Sequence, residues 1–171
     1  MREYKIGEYV MHEGSGVCMV SDIKEMALSG KGTEKMYYSL TPVFTNGSSV
    51  ITPVDSATTG KVRIRDIKEK EEIEGIFSSL PTLPVIEEPD DKKRAECVKE
   101  EISKFDPVAL ASVVKTAYLR KKMRLANGKK VMSVDEKILQ SVGKKLFQEM
   151  AFVLHEDLSK VESDFYSVLD V

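Results

Sequence analysis

Residues 61–89, KVRIRDIKEKEEIEGIFSSLPTLPVIEEP, contain the change of pattern that decides the fold. Residues 61–66 alternate basic and apolar side chains, which is typical of a β-strand with one solvated face. From Ile67 to Leu80 the apolar residues recur at helical spacing, and acidic residues occupy the first turns, where the helix dipole favours them. Prolines at 81, 84 and 89 follow, and proline disfavours the helical conformation of the residue before it. The stretch therefore predicts a strand, a helix and a domain boundary, in that order.

The chain before this stretch has the pattern of β structure. Short apolar runs, separated by glycine-containing turn sequences, lie at residues 9–10, 17–20, 37–40 and 50–54. Asn46-Gly47 between two such runs is a hairpin signal, because both residues tolerate positive φ. Strands of this length joined by tight turns predict a small antiparallel β-barrel over residues 1–66.

The chain after the stretch has the pattern of helices. Asp106-Pro107 predicts a helix start, Asn127-Gly128 predicts its end, and Ser133 with Glu136 predicts a capping box at the next helix. Apolar faces then continue to Val153 and from Leu158 to Leu169. The sequence thus predicts an α+β protein with a barrel at 1–66, a helix and proline-rich linker at 67–89, and a helical bundle at 90–171.

Composition and motifs exclude several classes of function. Apolar runs are far shorter than the roughly 20 residues that cross a bilayer, and the first residues lack a signal-peptide pattern, so we expect a cytoplasmic protein with no membrane partner. The two histidines have no partners at catalytic or ligand spacing, and the two cysteines, Cys18 and Cys97, form no CxxC. No GxSxG or phosphate-loop motif is present. We expect no enzyme activity, no cofactor, no metal and no small-molecule substrate.

A cationic segment stands out against the net charge of −2. Residues 107–134 contain seven basic side chains and no acidic one: Lys115, Arg120, Lys121, Lys122, Arg124, Lys129 and Lys130, called here the basic corner. The helix dipole favours such residues at a helix C-terminus, so a solvated helix end is one interpretation. A surface for a polyanion is the other, because local charge decides what a surface attracts. Charge alone favours the first interpretation.

Several segments, in the right order, resemble the CarD/CdnL family of bacterial transcription regulators. The opening YKIGEYV (4–10) with GSGV (14–17) is similar to the start of the family, and YYSLTP (37–42), VITPVD (50–55) and VRIRD (62–66) are similar to its later strands. In the second half, YLRKK (118–122), GKK (128–130), DEK (135–137) and LFQEMAFVL (146–154) resemble the family's helical domain. The resemblance covers nearly the whole chain.

The resemblance implies a Tudor-like N-terminal module, also found in the transcription-repair coupling factor, that docks on the RNA polymerase β subunit. An edge strand that adds to a partner's sheet suits this docking, and the implied contact residues are Leu40, Val50, Ile51, Thr52 and Pro53. The helical domain would lie against promoter DNA and stabilise the open complex through phosphate contacts that are not base-specific. The implied DNA-binding residues are Lys92, Lys93, Arg94, Arg120, Lys121, Lys122, Arg124, Lys129 and Lys130.

The sequence departs from the family in two places. Many members carry a tryptophan wedge near the start of the helical domain, whereas this chain has no tryptophan. Val85 and Ile86 are the apolar residues available there as an aliphatic wedge. Met26 and Ile51 stand roughly where some members have arginines that face polymerase. These departures keep an alternative open, in which the protein is a polymerase-binding or other protein–protein adaptor that does not contact DNA.

Overall fold

Strands come first in the chain and helices follow, which confirms the predicted α+β class. The computed structural model describes residues 2–170. Its contacts divide the chain into two units, one ending at Lys68 and the other beginning at Glu69.

The first unit contains a five-stranded antiparallel sheet in the order β4-β3-β2-β1-β5. The strands are β1 (Tyr9–His12), β2 (Gly16–Met26), β3 (Lys35–Pro42), β4 (Val50–Pro53) and β5 (Ile64–Asp66). Side chains from β1, β2, β3 and β5, together with Tyr4 and Ala57, form one buried apolar cluster, and Val50 of β4 packs against it. All five strands therefore contribute to one apolar core.

The predicted closed barrel is wrong, because the sheet stays open. β4 and β5 lie at opposite edges, and within residues 2–170 they do not pair with each other. Closure requires the two edge strands to pair, and these have only four and three residues. The alternation of apolar and polar residues is the same in an open and a closed sheet, so the sequence pattern did not distinguish them.

The long strand β2 contains a bulge. The register against β3 shifts between Val20 and Asp22, and the Ser21 hydroxyl donates a hydrogen bond to the Ser39 carbonyl at 2.9 Å. A bulge increases local twist and bends the strand that contains it. We therefore expect β2 to bend at Ser21.

The second unit consists of helices around the buried middle of α3. The helices are α1 (Lys70–Ser79), α2 (Asp91–Ser103), α3 (Pro107–Ala126), α4 (Ser133–Ile138), α5 (Lys144–Leu154) and α6 (Leu158–Leu169). A 3₁₀ turn, Leu80–Thr82, follows α1, and a π-helical segment, Leu139–Gly143, joins α4 to α5. The helical conformation is therefore continuous from Ser133 to Leu154, with one π-helical segment inside it.

Two of the three predicted helix ends are confirmed. The Asp106 carboxylate accepts hydrogen bonds from the backbone N–H groups of Val108 and Ala109, and Pro107 opens α3. Gly128, with φ of 68°, follows the end of the same helix in the left-handed region that glycine favours. The predicted cap at Ser133 is wrong, because Met132 occupies the N-cap position and Ser133 is already helical.

The segment 67–89, predicted as a helix and proline-rich linker, contains α1 and the 3₁₀ turn, which pack within the second unit. Ile73, Ile76 and Leu80 are fully buried. The Phe77 ring meets the Phe165 ring of α6 edge to face, with 6.4 Å between centroids. This apolar burial makes α1 a part of the helical core.

Candidate partner-binding surfaces

Strand β4 forms one edge of the sheet, as the edge-strand prediction requires. One side pairs with β3, where Ser39 lies opposite Ile51 and Leu40 lies opposite Val50. Within residues 2–170 no strand pairs with the other side. β4 thus presents unpaired backbone groups to an incoming strand.

The direction of those groups follows from one hydrogen bond. The Val54 N–H donates to the Met36 carbonyl of β3 at 2.9 Å. Backbone groups alternate along a strand, so Thr52 and Val50 also face β3, whereas Ile51 and Pro53 face outward. Pro53 has no N–H, and the outer edge therefore offers the Ile51 N–H and the carbonyls of Ile51 and Pro53.

The predicted polymerase-contact side chains divide by exposure. Ile51 is 41% exposed, whereas Thr52 is only 3% exposed and Leu40 is fully buried. Val50 and Pro53 are half-buried, and Val50 packs against the core cluster. Ile51 is accordingly the most exposed side chain in this set.

The basic corner lies against carboxylates that come from other helices. The Arg120 Nε is 3.2 Å from Oδ2 of Asp135, a carboxylate that is almost completely buried. The Lys121 Nζ is 3.1 Å from Glu136, and the Lys122 Nζ is 2.6 Å from Asp170. Three of the predicted phosphate-binding cations are therefore paired within the domain.

The remaining predicted cations differ in accessibility. Arg124 is half-buried and its Nε donates to the Lys130 carbonyl at 2.6 Å, whereas the side chains of Lys129 and Lys130 are exposed. Lys92 and Lys93 are exposed in the first turn of α2. Arg94, which was predicted to contact DNA, is 7% exposed, so its guanidinium is not available on the surface.

The first turn of α2 and the second half of α3 lie close together. The Arg94 guanidinium, 2.5 Å from the Asp91 carboxylate, holds the pKa of that carboxyl below its usual value, and Arg120 and Arg124 lower it further. Cations that the sequence places about thirty residues apart are thus on neighbouring elements.

Lys115 is counted in the basic corner by sequence but has a structural role. Its side chain is buried, and its Nζ donates to the carbonyls of Leu80, Pro81 and Leu83 at 2.9, 3.0 and 2.8 Å. On the same face of α3, the Ser112 hydroxyl donates to the Pro84 carbonyl, and the Thr116 hydroxyl accepts from the Ile86 N–H. These three side chains hold residues 80–86, called here the strap, along α3.

The candidate wedge residues Val85 and Ile86 belong to this strap. Both are half-buried, and the Ile86 N–H donates to the Thr116 hydroxyl at 3.0 Å. Glu87, Glu88 and Asp90 follow directly in the chain. The wedge remains a prediction. Hydrogen bonds hold the strap around it to α3, and acidic residues follow it in the chain.

The described residues contain neither a candidate metal site nor a candidate membrane span. In the part of the chain from Arg2 to Asp170, no group of three or more His, Cys, Asp or Glu side chains is placed to hold a metal ion. None of the helices described there combines the length and apolar character needed to cross a bilayer.

Comparison with known proteins finds a family match for the sheet-containing unit. Residues 4–68 match the family model described as the CarD-like/TRCF RID domain. The N-terminal unit is therefore similar to CarD-like/TRCF RID domains over nearly its whole length. This family is one of RNA polymerase-interacting, non-catalytic domains. No curated protein matches the chain.

The match confirms the resemblance for residues 4–68 and does not extend beyond them. β4 and the exposed Ile51 lie inside the matched region, whereas the basic corner and the strap lie beyond residue 68. The predicted contact residues on both surfaces stay predictions. Sequence reasoning missed the acidic partners of the corner, because Asp135, Glu136 and Asp170 are brought to it by folding.

Proposed function

We propose that this protein is a cytoplasmic transcription regulator whose CarD-like domain binds the β subunit of RNA polymerase through strand β4. The observation that carries the proposal is the open outer side of β4, with Ile51 exposed and its N–H directed outward. A partner strand that adds there gains main-chain hydrogen bonds for affinity and a side-chain contact for specificity. The family's interaction with polymerase supports this partner.

The second part of the proposal is that the helical unit contacts promoter DNA and stabilises the open complex. Exposed Lys129 and Lys130, with Lys92 and Lys93 on the neighbouring helix, supply cations for phosphates. Such contacts are independent of base sequence and weaken steeply with salt. Arg94, Arg120 and Lys115 serve the fold instead, because buried carboxylates or carbonyls hold them.

The double variant Lys129→Glu/Lys130→Glu tests the DNA contact. Reversing two exposed charges removes phosphate contacts, and we expect the open-complex lifetime to shorten on the order of tenfold. The measurement is dissociation of polymerase–promoter complexes after a competitor challenge, across a salt series. Lys24→Glu/Lys31→Glu, the same charge change on exposed residues of the first unit, is the control. An unchanged lifetime in the first variant would remove the corner from the mechanism.

A second candidate function, a polymerase-binding adaptor without DNA contact, is favoured by the internal pairing of Arg120, Lys121 and Lys122. The double variant Glu136→Gln/Asp170→Asn separates the two functions. It releases Lys121 and Lys122 at a stability cost of less than about 1 kcal/mol per exposed pair.

If the corner binds DNA, this variant has a several-fold higher affinity for promoter DNA at low salt, because its local positive charge increases. Fluorescence anisotropy of labelled DNA measures the change. Glu71→Gln/Asp164→Asn gives the same net charge on α1 and α6 and serves as the control. Equal DNA affinity in all three proteins supports the adaptor.

A further inference from the structure

A groove of about 610 Å³ is lined by the strap, the second half of α2 and the beginning of α3. Val85 and Ile86 of the strap form one wall, and Val108 and Ala109 of α3 contribute apolar surface beside them. Val108 is 44% exposed, although it is a large apolar residue. The groove therefore offers a water-accessible apolar surface.

The wall of the groove is rigidly held. The hydroxyl of Ser112 bonds the Pro84 carbonyl, and Thr116 accepts a hydrogen bond from the Ile86 N–H. The Lys115 ammonium donates a hydrogen bond to the carbonyl of Leu83, the residue before Pro84. A wall that is ordered in advance lowers the entropic cost of binding.

The rim of the groove is acidic. Glu100, Glu101 and Asp106 line it together with a single ammonium group, that of Lys104. The Lys104 Nζ lies 2.5 Å from Glu101, and the pKa of Lys104 is raised by the hydrogen bond to Glu101 and by the charges of Glu100 and Asp106. Three carboxylates against one ammonium give the rim a net negative charge, which repels DNA phosphates and attracts cations.

We infer that this groove docks a basic amphipathic segment of RNA polymerase, which is a second protein contact besides β4. The apolar side of such a segment covers Val85, Ile86 and Val108, and its Lys or Arg side chains face Glu100 and Asp106. The inference rests on the proposed polymerase binding. Two linked sites strengthen each other, because the first contact raises the effective concentration at the second.

Cys97 lines the groove and provides a native probe of occupancy. It is exposed, whereas Cys18 is buried and burial raises the pKa of the Cys18 thiol to about 11. Alkylation by N-ethylmaleimide thus modifies Cys97 selectively in the folded chain. We expect saturating polymerase, without DNA, to slow the modification of Cys97, followed by mass spectrometry of its peptide.

Two variants of the full-length protein test the chemistry of the groove. Glu100→Lys reverses a rim charge and Val108→Gln removes apolar surface, and each is expected to weaken polymerase binding about tenfold without DNA. Glu162→Lys on α6 and Val134→Gln on α4 are the matched controls, with the same changes at exposed residues outside the groove. Circular dichroism confirms that all four proteins are folded.

The outcomes distinguish this inference from the proposed function. If the wild-type protein does not bind polymerase, the proposed function fails and the inference fails with it. If the wild-type protein binds, but Cys97 is not protected and both groove variants bind normally, the inference alone is overturned. Protection of Cys97 at high protein concentration without polymerase identifies a second copy as the occupant, and this also overturns it.

Discussion

Ile51→Pro is expected to weaken RNA polymerase binding at least on the order of tenfold while leaving the CarD-like domain folded. The Ile51 N–H faces away from β3, so proline removes a donor that only a partner uses. Proline is tolerated at such an edge position, and Pro53 already occupies the equivalent outward position two residues later. Surface plasmon resonance with immobilised polymerase measures the affinity.

Two further substitutions locate the effect. Ile51→Asp keeps the N–H but loses the exposed apolar side chain, so it reports the side-chain contribution to the same contact. Val62→Asp, beside the opposite edge of the sheet, changes a residue of similar exposure and is expected to bind normally. Normal binding by Ile51→Pro would show that polymerase uses another surface of the domain. Thr52 is unsuitable for this test, because it is buried.

Lys115→Met is expected to lower the free energy of unfolding of the helical unit by about 3 kcal/mol, because a buried carbonyl that loses its partner costs roughly 1–3 kcal/mol. Methionine fills a similar volume but cannot donate to the carbonyls of Leu80, Pro81 and Leu83. Urea unfolding followed by helical circular dichroism measures the loss. Hydrogen exchange should increase first in the strap, which loses its anchor.

Lys121→Met provides the comparison, since Lys121 lies six residues further along α3 and its pair with Glu136 is partly exposed. We expect a change below about 1 kcal/mol for it. Equal stability of the two variants would mean that the ammonium of Lys115 does not hold the strap. A larger loss for Lys121→Met would contradict the role of Lys115 in holding the strap.

Local signals predicted the parts of this fold that local interactions determine. Asp106-Pro107 and Asn127-Gly128 satisfy backbone groups within a few residues, so their signatures in the sequence were sufficient. Ser133 has the same kind of signature, yet α4 begins one residue earlier, with Met132 at the cap. A capping pattern therefore locates a helix start approximately, while the packing of the whole unit fixes the residue.

Long-range pairings were the part that sequence could not predict. Asp170 reaches Lys122 from 48 residues away, and the sequence shows only that the corner itself contains no acid. For Lys115 a signal was present: its neighbours Val113, Val114, Thr116 and Ala117 are all suited to burial. A helical turn without a polar face predicts that its lysine is buried too. Barrel closure similarly depends on whether two distant edge strands meet.

The open sheet has a consequence for how this protein behaves in solution. A strand edge that accepts a partner also accepts another copy, and exposed edges are common starting points for aggregation. Here β4 has four residues, and Pro53 removes one of its outward donors. The edge is long enough for one specific short strand but too short to propagate into a stack. We therefore expect that the shortness of β4 also keeps this edge from becoming a template for fibres.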